Sequence, residues 1–144
     1  MSEPFILLVD DEEAFLEAMT KRLEKRNLRV MTCTSGTEAL KIVNSHRNLD
    51  VVVLDVKMPG MDGLETLKIL KQNYPLIEVI MLTGHATVEN AVEGMKLGAF
   101  DYLMKPCELE ELLMKVKEAA ETKRAQVEKI REAAIANALS TSVE

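Results

Sequence analysis

Four polar residues come directly after short apolar runs, and their chemical types are those that handle phosphoryl groups. They are Asp10 after "FILLV", Asp55 after "VVVL", Thr83 at the end of "EVIMLT" and Lys105 after "DYLM". Asp11 adds a carboxylate next to Asp10. A carboxylate oxygen can act as a nucleophile, clustered carboxylates bind Mg²⁺, and ammonium and hydroxyl groups contact phosphoryl oxygens. Such chemistry requires a fold that brings these residues together.

The apolar runs alternate with helical patterns along the chain. Strands are predicted at residues 5–10, 29–34, 51–55, 78–83 and 101–104. Helices are predicted at 12–26, 37–46, 63–74 and 88–97, and from 108 to about 139, with Thr87 capping the fourth and Gly98 ending it. Five βα units predict a doubly wound α/β domain, a parallel sheet with helices on both faces. The carboxyl ends of its strands then meet at one edge, where such folds bind ligands.

Each of these residues also has an ordinary structural explanation. The run "DDEE" complements the positive end of a helix dipole, and Asp55 or Thr83 can simply begin a turn. Lys105 can be a solvated loop lysine. These separate explanations do not predict that such residues occur together at the ends of four strands. Their occurrence there favours a functional site.

Composition narrows the classes of protein. A chain of 144 residues that is 47% hydrophobic fits one compact domain with an appendage. A net charge of -6 argues against a nucleic-acid-binding surface. Cys33 and Cys107 lack metal-site spacing and are expected to be reduced thiols. The sequence shows neither a signal peptide nor an apolar run that could span a bilayer, so we expect a cytoplasmic protein with no membrane partner.

The motifs "LLVDDE", "VVVLDVKMPGMDGLE", "VIMLTGHA" and "GAFDYLMKP" carry a family resemblance. In this order they resemble the receiver domain of bacterial two-component response regulators, the CheY-like superfamily, over residues 4 to about 122. The resemblance implies a flavodoxin-like strand order 2-1-3-4-5. It also implies a receiver domain at residues 1–122, followed by a helical extension or linker at 123–144.

The resemblance assigns the site residues. Asp55 is implied to be the phosphoacceptor, with Mg²⁺ held directly by Asp11 and Asp55, through water by Asp10, and by the backbone carbonyl of Lys57. Lys105 and Thr83 are implied to contact the phosphoryl oxygens.

Two further positions follow from the same resemblance. A movement of Thr83 towards the phosphoryl group would make room for Tyr102, which would switch the face formed by helix four, strand five and helix five. The peptide bond before Pro106 is implied to be cis and to aim Lys105 inward. Lys57 and His85 are expected to flank the solvent path and to modulate hydrolysis of the aspartyl phosphate.

The implied partners are a sensor histidine kinase or phosphotransfer protein, or acetyl phosphate as a small donor. An effector domain or partner would receive the signal. The chain is then a phosphoacceptor regulator rather than an enzyme, and its only chemistry is its own phosphorylation and dephosphorylation.

Other classes remain open at this point. A phosphatase of the haloacid dehalogenase type also uses a strand-end Asp, but it carries a second Asp two residues on, where this chain has Lys57. A dinucleotide or flavin binder would place glycines or hydroxyls after strand one, where this chain has "DDEE". A receiver fold used only for protein interaction would have lost an essential group, and no such loss is visible.

The last helix is longer than one domain needs. From residue 108 to about 139 its apolar residues alternate spacings of four and three, interrupted at Lys123, as in a short and imperfect coiled coil. We expect a weak homodimer through the part beyond Thr122. The alternative is a charged linker helix that frays without an effector domain.

Overall fold

The computed structural model describes residues 3–142. Across them, five strands alternate with five helices in the predicted order. The strands are β1 (Phe5–Val9), β2 (Arg29–Cys33), β3 (Val51–Leu54), β4 (Glu78–Thr83) and β5 (Asp101–Met104). The helices are α1 (Glu13–Glu24), α2 (Gly36–Ser45), α3 (Gly63–Asn73), α4 (Val88–Lys96) and α5 (Leu109–Ser142).

The strands form one parallel sheet in the order β2-β1-β3-β4-β5. This confirms the predicted fold class and strand order. The order reverses between β1 and β3, so the crevice at their carboxyl ends is where this kind of sheet binds ligands. Asp10 follows β1 and Asp55 follows β3, which places both at that crevice.

Both faces of the sheet are covered, and β3 shows why its sequence is apolar at every position. Val52 and Leu54 join the core shared with α2 and α3, whereas Val51 and Val53 join the core shared with α1 and α5. All four residues are buried. A strand covered on both sides cannot alternate apolar with polar residues.

Helix starts follow local capping chemistry. The side chains of Ser35, Asp62 and Thr87 each accept a hydrogen bond from the backbone N–H three residues later. The prediction for Thr87 is therefore confirmed. Gly98 follows α4 with φ of 101°, a left-handed conformation that favours glycine and ends the helix as predicted.

Helix α5 has 34 residues and a length of about 50 Å. Its first part packs on the sheet through residues such as Leu112, Val116 and Ala120. From Glu128 to Thr141 every side chain is exposed. Among the described residues, no helix combines the length and apolar character that crossing a bilayer requires. Cys33 is buried and Cys107 is half-buried, and neither forms a disulfide bond within the described residues.

Candidate functional site

Three carboxylates meet at the switch point of the sheet. Asp10 and Asp55 are buried, with 2% and 3% of their surface exposed, and Asp11 is exposed beside them. One oxygen from each lies within 4.8 Å of the others. Burying like charges this closely is unfavourable unless a cation compensates them. The cluster therefore has the donor atoms and the charge for a divalent cation that prefers oxygen ligands.

Asp55 directly follows the buried strand β3, and its contacts fix the position of its carboxylate. Its backbone N–H donates to the Val9 carbonyl at 3.0 Å, which continues the contact between β3 and β1 beyond the last strand residue. The Oδ1 atom accepts from the Val56 backbone N–H at 2.7 Å. The Oδ2 atom lies 3.9 Å from the Lys105 ammonium. One carboxylate oxygen is thus fixed by the chain, and the other faces the charged groups of the site.

Gly63 holds the loop after Asp55 close to the strand. A Cβ atom at this position would lie 1.9 Å from the Asp55 carbonyl oxygen, so no other residue fits without movement of the backbone. The Gly63 N–H also donates to the Val56 carbonyl at 2.7 Å. The sequence analysis missed this role. The available signal was a glycine directly after the α3 cap Asp62, at the point where the chain returns to the sheet.

Lys105 reaches across from β5 into the acidic cluster. Its Nζ atom donates to Asp10 Oδ2 at 2.6 Å and to Glu12 Oε1 at 3.2 Å. It also lies 4.0 Å from the centroid of the Phe15 ring. The Lys105–Pro106 peptide bond is cis. The sequence analysis treated Glu12 only as a helix-dipole residue and did not anticipate its contact with Lys105.

The charges of this group shift one another's protonation. Burial raises the pKa of the Asp10 carboxyl, and the charge of Asp55 adds to the rise, while hydrogen bonds from Lys105 and the Glu12 backbone oppose it. Burial lowers the pKa of the Lys105 ammonium, but its contacts with Asp10 and the charge of Asp55 raise it on balance. One ammonium therefore stands among several carboxylates, and the site retains excess negative charge.

Thr83 lies at the end of β4 and is fully buried. Its Oγ1 accepts a hydrogen bond from the His85 backbone N–H at 3.0 Å, and its carbonyl accepts from the Lys105 backbone N–H at 2.9 Å. The hydroxyl group is thus held by the loop that follows β4. An open cavity of about 500 Å³ is lined by Asp11, Asp55, Lys57 and His85, among others. Lys57 and His85 therefore border the solvent side of the carboxylates.

Tyr102 is half-buried on β5 and packs against the core that includes Met81 and Leu64. Its hydroxyl is buried and finds no hydrogen-bond partner within residues 3–142. Burial raises the pKa of this hydroxyl, and the charge of Asp55 contributes to the rise. Burying an unpaired hydroxyl is unfavourable, so this hydroxyl contributes no stabilisation to the side-chain position that the structure shows.

The sequence of this chain is similar to those of known proteins. A family model described as the response regulator receiver domain matches residues 6–117. The chain is 37% identical over 132 residues to a putative NtrX-like response regulator of Rickettsia typhi, covering 90% of this chain and 28% of that protein. It is 36% identical over 119 residues to the DNA-binding transcriptional regulator NtrC of Escherichia coli K12, covering 83% of this chain and 25% of that protein. The chain spans about a quarter of the length of these relatives.

Solved structures agree. A response regulator receiver domain protein from Clostridium thermocellum superposes with a TM-score of 0.81 at 37% identity, covering 85% of this chain and 98% of that one. A CheY-like receiver domain protein from Methanospirillum hungatei gives 0.81 at 32% identity, covering 87% and 99%. The sequence match, the strand order and the shared architecture lead to one conclusion: this chain belongs to the response regulator receiver domain family of two-component signalling.

Proposed function

We propose that this chain accepts a phosphoryl group on Asp55 from a sensor histidine kinase or phosphotransfer protein in the cytoplasm. The observation that carries the proposal is the buried Asp55 carboxylate, whose Oδ2 faces the Lys105 ammonium at 3.9 Å beside two further carboxylates. Asp55 Oδ2 attacks the phosphorus of a phosphohistidine, the P–N bond breaks, and the imidazole leaves with its electron pair. Water later cleaves the aspartyl phosphate and restores the carboxylate, with release of inorganic phosphate.

The acidic cluster fits Mg²⁺, whose chemistry here would be to neutralise the charge of the transferring phosphoryl group. Asp11 and Asp55 would hold the ion directly, Asp10 through water, and Lys57 through its backbone carbonyl. Asp10 is well suited to an indirect role because one of its oxygens accepts from Glu12 N–H at 2.9 Å and the other from Lys105 at 2.6 Å.

Lys105 and Thr83 would receive the remaining phosphoryl oxygens. The ammonium supplies a charge-assisted hydrogen bond, and the Thr83 hydroxyl must turn from the His85 N–H towards Asp55. That movement couples to Tyr102, whose buried and unpaired hydroxyl leaves the side chain free to change its packing. The face formed by α4, β5 and α5 would carry this change to a partner.

The phosphodonor has an adjacent surface on which to dock. An apolar groove of about 420 Å³ lies between α1 and the loop after β5, lined by Phe15, Pro106 and neighbouring side chains. Lys105 lines the same groove. A phosphohistidine that reaches Asp55 brings the surface of its own protein onto this groove. We expect apolar side chains of the kinase or phosphotransfer protein to fill it.

Output would pass along α5. Val116 is buried against the sheet, and Val127 and Ala138 follow it at intervals of eleven residues, close to three helical turns. The face that packs on the sheet thus continues into the exposed part of the helix, where Ile130 is 54% exposed. We propose that a second copy covers this face in a weak homodimer, linked to an effector domain or partner. A charged linker helix is the alternative.

Incubation with acetyl phosphate and Mg²⁺ tests the phosphoacceptor. Intact-mass analysis should show one added phosphoryl group on the wild type and none on Asp55→Asn. Asp62→Asn is the matched control, because it changes an aspartate of the same loop that caps α3, and it should be labelled as the wild type is. Equal labelling of Asp55→Asn would refute the proposal. An unlabelled wild type would favour a receiver fold that acts only through protein interaction.

A further inference from the structure

Glu12 occupies the position where α1 would be capped, but its side chain does not serve that purpose. It is the N-cap residue of α1, with extended backbone angles, and it makes no side-chain capping hydrogen bond. Its carboxylate instead accepts from Lys105 Nζ at 3.2 Å. The ordinary explanation of an acidic residue at a helix start therefore does not account for where this carboxylate points.

Asp10 holds both partners of the contact between Glu12 and Lys105. The Glu12 backbone N–H donates to Asp10 Oδ1 at 2.9 Å, while Lys105 donates to Asp10 Oδ2 at 2.6 Å. One buried carboxylate therefore fixes the Glu12 backbone and the Lys105 ammonium next to each other. The Phe15 ring, 4.0 Å from Nζ, lies on the same ammonium. Asp10 and Phe15 therefore contact Lys105 in addition to Glu12.

A bound metal ion would compensate the negative charge of only some of the carboxylates around Lys105. The cluster able to share a cation comprises Asp10, Asp11 and Asp55, and Glu12 is not part of it. A cation on that cluster weakens the attraction of Asp10 and Asp55 for the ammonium. Glu12 keeps its full charge, and its side chain, 67% exposed, stands at the solvent side of the ammonium.

We propose that Glu12 is a positioning residue that competes with the phosphoryl group for Lys105 and so restrains phosphorylation of Asp55. This inference rests on the proposed function. Asp10 and Glu12 take two of the three donors of the Lys105 ammonium and neutralise part of its charge, so less of that charge is available to an incoming phosphoryl oxygen. The Glu12 carboxylate therefore competes for Lys105 and lowers the affinity of the site, with its metal ion bound, for phosphoryl dianions.

The test compares Glu12→Gln with Glu13→Gln. Both remove one charge at the start of α1, but Glu13 lines the groove between α1 and β2 and makes no ion pair with Lys105 among the described residues. With saturating Mg²⁺, the slope of the phosphorylation rate against acetyl phosphate concentration should rise in Glu12→Gln. The expected rise is about twofold to fivefold, the size of one partly screened charge interaction, and Glu13→Gln should match the wild type.

A binding measurement separates competition from a general effect on folding. Beryllofluoride with Mg²⁺ mimics the phosphoryl group, and an NMR titration should show tighter binding to Glu12→Gln by a similar factor. In a Lys105→Met background the Glu12→Gln change should have no effect, because Glu12 acts through Lys105. An unchanged slope and affinity in Glu12→Gln, or a gain that persists in Lys105→Met, would overturn the inference. If Asp55 is not phosphorylated in the wild type, the proposed function fails and the role of Glu12 fails with it.

Discussion

The Asp50 carboxylate and the Arg124 guanidinium join the amino end of the sheet to the start of the helical extension. Arg124 NH2 donates to Asp50 Oδ2 at 2.9 Å, and its Nε donates to Oδ1 at 3.2 Å. Lys123 adds a contact to Oδ1 at 3.2 Å, and Asp50 Oδ2 also accepts from the Phe5 N–H at 2.9 Å. Contacts within the domain thus continue beyond Thr122. The boundary at residue 122 stays a prediction.

We expect Asp50→Asn to lower the free energy of unfolding by about 2–3 kcal/mol, because it leaves two cations next to a nearly buried neutral group. Urea unfolding measures this. Asp101→Asn is the matched control, since the pair between Asp101 and Lys115 has side chains 31% and 27% exposed. Its loss should cost less than about 1 kcal/mol. Equal losses in both variants would contradict a special role for Asp50.

The same group predicts a pH dependence. Burial raises the pKa of the Asp50 carboxyl, but the hydrogen bonds from Arg124 and Phe5 and the nearby positive charges outweigh it and lower the pKa below 3.8. A lowered pKa means that the stabilisation is complete above the unfolded value of about 4 and disappears as the pH falls through the folded value. Below about pH 4, wild-type stability should fall more steeply than that of Asp50→Asn. Parallel profiles would exclude Asp50 as the cause.

Metal affinity should distinguish the carboxylates of Asp11 and Asp55. Asp11→Asn should weaken Mg²⁺ binding by more than about tenfold, because loss of an outer-shell partner alone typically costs that much. Asp55→Asn should weaken it less than Asp11→Asn does. Calorimetric titration measures both, with Glu89→Gln on the exposed start of α4 as the control. Equal affinity in all of these proteins would refute the assignment.

Glycine is required at position 63 for steric reasons. Gly63→Ala places a Cβ atom 1.9 Å from the Asp55 carbonyl oxygen and should destabilise the protein by about 3 kcal/mol. Gly84→Ala is the control, since its Cβ atom would meet no atom within 4 Å. Urea unfolding of the two variants should differ clearly. Similar stabilities would show that the loop after Asp55 yields without cost.

The lifetime of the aspartyl phosphate should depend on Lys57 and His85. Both line the open side of the cavity that contains Asp55, so their side chains border the path of attacking water. Lys57→Ala and His85→Ala should change the hydrolysis rate without abolishing phosphorylation. Loss of the phosphoryl group after removal of acetyl phosphate gives the rate. Rates equal to the wild type in both variants would show that neither side chain affects the attack of water.

Self-association can be tested with matched alanines on α5. Ala138 lies on the continued apolar face and Ala136 about 200° around the helix from it, and both are exposed. Ala138→Lys should shift light scattering towards the monomer, and Ala136→Lys should not. A version ending at Glu128 keeps the Asp50 contacts and should be monomeric. A monomeric full chain at every concentration, with and without phosphodonor, would exclude the dimer.

The sequence predicted the architecture well because local periodicity encodes it. The predicted bounds of β4 and β5 coincide with the structure, whereas Asp10 and Asp55 lie just beyond strands that end at Val9 and Leu54. Their backbone N–H groups still donate to the neighbouring strands, so both residues lie at the crevice directly after the strand ends. Convergence of the strand ends also followed from topology alone.

Long-range polar contacts could not be predicted in the same way. Glu12 and Lys105 are 93 residues apart, and Asp50 and Arg124 are 74 apart. No local pattern specifies which acid meets which base over such distances. The steric role of Gly63 likewise depends on the return path of a loop. These features concern the contacts of the site residues and of helix α5, and they leave the fold class unchanged.

If α5 tilts at Arg124, the exposed part of the helix beyond it acts as a lever. From Arg124 to Leu139 the helix extends about 22 Å, and every side chain from Glu128 to Thr141 is exposed. A tilt of about 10° at the pivot displaces the far end by about 4 Å, a distance close to the width of a side chain. A small rearrangement near the sheet would then be magnified along the helix, and the contacts between Asp50 and Arg124 would set how much of the tilt is transmitted.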